Sequence, residues 1–368
     1  MAEIPDTIKT WQMVQPTSKN RETGEVTPGK LEKKEIPVPE LGPGDVLVEI
    51  AGCGVCHTDL GYFYDGVATV STPPLTLGHE ISGTVVAGDE KWIGKEVIIP
   101  AVMPCRKCVL CKTGRGNRCL DQKMPGNSLG LYGGFSSHIP VPSIDLCEVK
   151  DRAGSPLSHF AVIADAATTP YQAAKRADLQ PGDNVVVVGI TGGVGQYVGQ
   201  ITKALGAKTV IGIARNKEKL ERALKFGADF CINSTDKDAR EVSKEFRGYC
   251  KENGLPNTGW KIFEVTGVKA GQEIALALLG FTGKLIVVGF GLAKTEYAIG
   301  RLMAFDADII GTWGCLPEYY PIVLDMVLTG KINMEEFVVT RPMSTIAETF
   351  EEAHKTPPMK RIVLTPDF

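Results

Sequence analysis

Four cysteines crowd one short stretch, Cys105-Arg-Lys-Cys108-Val-Leu-Cys111-Lys-Thr-Gly-Arg-Gly-Asn-Arg-Cys119, out of ten in the chain. Thiols at these intervals suit one tetrahedral zinc bound by four thiolates, a closed site that leaves no position for a substrate. A redox role would use only two of them. Disulfides are not expected, because the start, MAEIPDTIKTWQMV, lacks the basic and apolar runs of a secretory leader. The expected compartment is therefore the cytoplasm, where clustered thiols more often hold metal. A catalytic zinc differs in needing three protein ligands and one open position. Cys56 in Gly-Val-Cys56-His57-Thr58-Asp59 and His79 in Gly-His79-Glu80 are candidates, each in a glycine-bearing turn after a predicted strand. Taken singly, Cys56 reads better as a buried apolar filler and His79 as a hydrogen-bonded turn residue than either does as a ligand. Cys53 competes as a ligand through its C-x-x-C with Cys56, but its position nearer the strand suits packing.

The third chemical signature is Gly189-Ile-Thr-Gly192-Gly193-Val194-Gly195. It leaves an apolar strand, Val185–Val188, and opens a helix striped by Val194, Val198, Ile201 and Leu205. Glycines there permit a tight turn and close approach of a pyrophosphate, while the helix N-terminus supplies free N–H groups to the anion. The alternative is a merely flexible turn. The next strand, Val210–Ile213, ends in Ala214-Arg215 where a carboxylate would bind the ribose hydroxyls of NAD. That exchange tilts toward the 2′-phosphate of NADP.

The elements that must hold these groups change character along the chain. Up to about residue 150, short β-type runs (Asp45–Ile50, Gly83–Val86, Glu96–Ile99) alternate with Pro and Gly, as in a β-rich domain with functional loops. After residue 160, apolar strands alternate with amphipathic helices: Thr209–Ile213, a helix striped by Leu220, Ala223 and Leu224, Lys261–Val265, a helix near Ile274–Leu279, and Gly283–Gly289. This predicts an α/β fold with a doubly wound parallel sheet covered on both faces. The domains are expected at 1–164, 165–312 and 313–368, the last returning to the first. The net charge of -3 and scattered basic residues argue against nucleic acid, and no apolar run suits a membrane.

Together, in this order, these motifs resemble the zinc-dependent medium-chain dehydrogenases/reductases, the alcohol dehydrogenases. The resemblance covers essentially the whole chain and implies a GroES-like catalytic domain carrying two zincs per subunit, a Rossmann domain binding NAD, and a homo-oligomer (dimer or tetramer). By position it implies Cys56, His79 and Asp165 as catalytic-zinc ligands and Cys105, Cys108, Cys111 and Cys119 as structural-zinc ligands. Glu80 matches a carboxylate near the metal, Asp59 the partner that orients the histidine, and Thr58 the hydroxyl that passes the substrate proton. His57 and Arg361 resemble pyrophosphate contacts and Thr169 a nicotinamide-side contact, with Gly189, Gly192, Gly193, Val194, Gly195, Ala214 and Arg215 around the dinucleotide. Two departures stand out. Asp59-Leu60-Gly61 lacks the histidine that often ends the proton relay, and Ala214-Arg215 replaces the NAD carboxylate.

Within the family, Thr10–Pro16, Gly61–Val67 and Ile99–Cys108 resemble dehydrogenases of 6-hydroxycyclohex-1-ene-1-carbonyl-CoA in anaerobic benzoyl-CoA degradation. That implies a CoA-thioester substrate, NAD as acceptor, and a conjugated ketone product open to 1,4-reduction in reverse. The competing expectations are a generic zinc alcohol dehydrogenase and, remotely, a zinc-scaffolded binding protein without nicotinamide.

Overall fold

A computed structural model of the protein describes residues 4–20 and 22–368. Its contacts divide the chain into two compact units: 1–168 with 314–328 and 334–368, and 169–313 with 329–333.

The first unit is β-rich. A three-stranded sheet centres on Thr7–Gln15, flanked by Lys30–Pro37 and Leu75–Thr76. A seven-stranded sheet runs in the order Cys147–Glu148, Glu96–Ile99, Glu80–Gly88, Asp45–Gly54, Arg361–Thr365, Val338–Pro342, with His138–Pro142 also on Asp45–Gly54. Val46, Val48 and Ile50 share a core with Ile81, Val97, Phe135 and Phe350. Each such fully buried side chain contributes about 1.5–3 kcal/mol relative to exposure. The returning strand Arg361–Thr365 aligns Val363 with Gly54 and Leu364 with Cys53. Gly54 in turn aligns with Glu80. Residues distant in sequence thus meet at one end of the sheet.

The second unit is a six-stranded parallel sheet in the order Phe230–Asn233, Thr209–Ala214, Asn184–Val188, Lys261–Glu264, Lys284–Val287, Asp308–Gly311. Numbered along the chain, that is the 3-2-1-4-5-6 Rossmann order. The unbroken valine run has a direct cause. Val186 and Val188 enter one core with Val242 and Phe246, whereas Val185 and Val187 enter another with Val198 and Phe263. Both faces are covered, so the strand cannot alternate with polar residues. The helix Lys217–Lys225 buries Leu220 and Ala223 as expected, but Leu224 is exposed and off the stripe. Leu224 follows Ala223 directly, about 100° further round the helix, which turns it to solvent. No helix among the described residues is long and apolar enough to cross a membrane.

Candidate active site

Among the described residues, two groups of side chains could hold a metal ion: Cys56, His79, Glu80 and Asp165, and Cys105, Cys108, Cys111 and Cys119. Both lie in the first unit.

Cys56 follows the strand Asp45–Gly54 and stands at the N-terminus of the helix His57–Tyr64. His79 directly precedes the strand Glu80–Gly88, after Gly78 at a φ of 97°. Asp165 ends the 3-10 run Leu157–Ala164. Asp165 Oδ2 is 3.8 Å from Cys56 Sγ and 3.7 Å from His79 Nε2. Zinc–ligand bond lengths and tetrahedral angles require donor separations of about 3.6 Å for S and O and about 3.4 Å for N and O. The donor chemistry and spacing therefore fit zinc with a few tenths of an ångström of contraction.

Asp59, fully buried, organises the first two donors. Its Oδ2 accepts the Cys56 N–H and its Oδ1 the Gly78 N–H, each at 3.0 Å, and Oδ1 lies 3.4 Å from His79 Nδ1. Nδ1 makes no well-aligned hydrogen bond, so this last contact is chiefly electrostatic. Burial opposes charge on His79, but Asp59, Asp165 and Cys56 outweigh it and raise the imidazole well above its ordinary pKa. These surroundings favour a cation at Nε2.

Glu80 is drawn elsewhere. Arg361 Nε donates to its Oε2 at 3.0 Å and Arg361 Nη2 donates to its Oε1. Gly54 makes this possible, since a Cβ there would lie 2.1 Å from Glu80 Oε2. With both Glu80 oxygens engaged by Arg361, Cys56, His79 and Asp165 remain as three candidate donors, and a zinc held by them would keep a fourth position open. Thr58 Oγ1 lies 3.6 Å from Cys56 Sγ. The pairing of Glu80 and Arg361, 281 positions apart, was not foreseen. Arg361, expected at the pyrophosphate, is buried against Glu80, whereas His57 is exposed.

In the cysteine loop, Cys108 Sγ is 3.5 Å from Cys111 Sγ and 3.8 Å from Cys119 Sγ, against about 3.8 Å for thiolates around one tetrahedral zinc. Backbone N–H groups point at sulfur: Cys105 N to Cys119 Sγ at 3.2 Å, Cys108 N to Cys105 Sγ at 3.4 Å, and Asp121 N to Cys119 Sγ at 3.3 Å. Amides at Leu120 and Cys111 lower the Cys108 thiol to about 6. The helical turn Val109–Lys112 buries no residue. This loop lacks a core of its own, and metal could supply one.

In the second unit, Gly189 turns the chain at a φ of 93° while its N–H donates to Ile213 O at 2.8 Å. A Cβ on Gly195 would lie 2.1 Å from Gly189 O, so the helix Gly195–Ala204 can start only with glycine there. Gly192, Gly193 and Val194 complete the turn. Ala214 ends the neighbouring strand, Arg215 is exposed, and Asn216 Oδ1 caps the following helix through Lys219 N at 2.9 Å. Thr169 is nearly buried in the helix Thr168–Arg176.

Residues 42–151 match the alcohol dehydrogenase GroES-like domain and residues 193–329 the zinc-binding dehydrogenase domain. The NAD-dependent alcohol dehydrogenase of Sulfolobus acidocaldarius is 30% identical over 338 residues, covering 88% of this chain and 91% of that protein. The chain belongs to the zinc-dependent alcohol dehydrogenase family. This alcohol dehydrogenase is similar to the acetophenone reductase of Geotrichum candidum, solved with NAD (26% identity, TM-score 0.81, covering 99% and 98% of the two chains). It also shares its fold with a zinc-binding dehydrogenase of Sinorhizobium meliloti solved with NADP (22% identity, TM-score 0.84, covering 98% and 100%). The family supports zinc-dependent oxidation of a secondary alcohol with a nicotinamide dinucleotide.

Proposed function

We propose that the protein oxidises 6-hydroxycyclohex-1-ene-1-carbonyl-CoA to the conjugated 6-oxo thioester, with NAD as hydride acceptor and two zincs per subunit. The observation that carries the chemistry is the convergence of Cys56, His79 and Asp165 with Glu80 held apart by Arg361. Zinc bound there supplies a Lewis acid to the alcohol oxygen, and NAD accepts the hydride. Thr58, beside Cys56, relays the alcohol proton, receiving it as its own hydroxyl proton passes on to water or the cofactor ribose. Asp59 holds the Cys56 and Gly78 amides and so orients two donors at once. Arg361 neutralises Glu80, so the donor set of one thiolate, one carboxylate and one imidazole balances a divalent ion. The four-cysteine loop holds the second zinc.

The substrate rests on the resemblance of Thr10–Pro16, Gly61–Val67 and Ile99–Cys108. Many of these residues are core, including Met13, Tyr62, Phe63 and Val102, so they argue descent rather than contact. NAD is supported by that resemblance and by the Sulfolobus relative, against the Ala214-Arg215 terminus. The relatives favour a second reading, a generic alcohol dehydrogenase. Steady-state rates with the thioester and its free acid, each with NAD and NADP, separate the two. A strong preference for the thioester with NAD supports the proposal, and equal turnover of acid and thioester refutes the CoA specificity. In reverse, deuterated NADH labels the carbinol carbon on carbonyl reduction and the β-carbon on 1,4-reduction.

A further inference from the structure

Asp165 reaches Cys56 and His79 from an alanine-rich stretch of backbone. Its neighbours Ala164, Ala166 and Ala167 offer no polar side chain, and all three are fully buried. Its backbone, at φ -142° and ψ -56°, has left the 3-10 run behind it. Yet a functional donor must be held to within about 0.5 Å of its working position. Besides the Ala167 N–H to Val162 O bond at 3.0 Å, the arm's backbone is held at the carbonyl of Ala164, which accepts two hydroxyls: Tyr320 Oη at 2.5 Å and Thr168 Oγ1 at 3.2 Å. Tyr320 Oη also accepts the Ala101 N–H at 3.0 Å. The Tyr320 phenol therefore bridges two buried backbone segments, and its ring is 0% exposed. Phenylalanine would fill the same volume, so the hydroxyl serves those two bonds. Burial, then the Cys315 thiol, push the phenol well above its ordinary pKa, which keeps its proton available to Ala164.

We infer that Tyr320, on the segment Gly314–Leu328 that rejoins the first unit, is the positioning residue for the Asp165 arm of the metal site. The inference rests on Cys56, His79 and Asp165 as zinc ligands. It extends the rule that groups supporting a ligand tune metal affinity by about 10–100-fold to a backbone carbonyl one residue away from the ligand.

The test uses the zinc-loaded, full-length protein and follows zinc release to a chromophoric chelator. In Tyr320→Phe, the open-site zinc should leave about 10-fold faster or more, while the zinc of the cysteine loop leaves at its wild-type rate. Thr168→Val, which removes the weaker bond, should shift release in the same direction by less. Phe350→Leu loosens the core of the same unit without touching Ala164 and should leave both rates unchanged. Cobalt exchanged into the open site should show an altered thiolate charge-transfer band in Tyr320→Phe, less so in Thr168→Val and not in Phe350→Leu. Wild-type release from Tyr320→Phe, or equal acceleration in Phe350→Leu, overturns the inference and leaves the zinc site standing. Wild-type protein holding one zinc per subunit overturns both.

Discussion

Replacing Arg361 by methionine tests the electrostatic construction of the site. Glu80 is 0% exposed and Arg361 8% exposed, and two hydrogen bonds join them. Removing one partner of such a pair leaves a buried, uncompensated charge and costs about 3–5 kcal/mol. For a unit of this size each kcal/mol lowers Tm by about 2–4 °C, so Arg361→Met should melt about 6–20 °C below wild type. The pH dependence has a definite sign. Burial already raises the Glu80 carboxyl while Arg361 opposes that rise, so Arg361→Met raises it further. The folded state then binds more protons than the unfolded state, and stability falls as pH rises above the ordinary carboxylate range. The deficit should be larger at pH 8 than at pH 6. Glu80→Met/Arg361→Met, which removes both charges, should recover at least half of the lost Tm, because apolar replacement of a whole buried pair is often neutral. Differential scanning calorimetry of the variants at both pH values measures this. A Tm within 2 °C of wild type at pH 8, or a double variant no better than the single, refutes the reasoning.

Three further variants probe the sites. Asp165→Ala should lose one zinc per subunit and its turnover while circular dichroism stays unchanged, whereas Cys108→Ser should lose the loop zinc and lower Tm; metal analysis with thermal melting distinguishes them. Gly195→Ala places a Cβ 2.1 Å from Gly189 O and should weaken NADH binding at least 10-fold by fluorescence titration, with the zinc content intact.

Local signals were legible. The cysteine loop and the glycine turn each declare themselves within a few residues, because their chemistry is set by spacing along one segment. The parallel sheet was equally plain, since Val185–Val188 must be apolar on both faces. Asp165 was reached only through family resemblance: an aspartate in an alanine run has no local mark of its meeting Cys56 and His79. The Glu80–Arg361 pair depends on the register of Gly54 against two strands, which no periodicity encodes. The helix Ala239–Glu252 was overlooked although Asp238 and Glu241 form a capping box that could have revealed it. The strand Asp308–Gly311 is mostly exposed and shows no alternation to read.

The strand Arg361–Thr365 lies between Asp45–Gly54 and Val338–Pro342 in its sheet. A ribosome working at roughly 5–20 residues per second needs about 10–40 s to travel from the Asp165 codon to that strand. Throughout that interval the nascent β-sheet has an empty slot and Glu80 has no counter-charge, and before its end the α/β unit, almost wholly contiguous in sequence, can close. The β-rich unit, which needs its last strand from the far end of the polypeptide, is thus finished last.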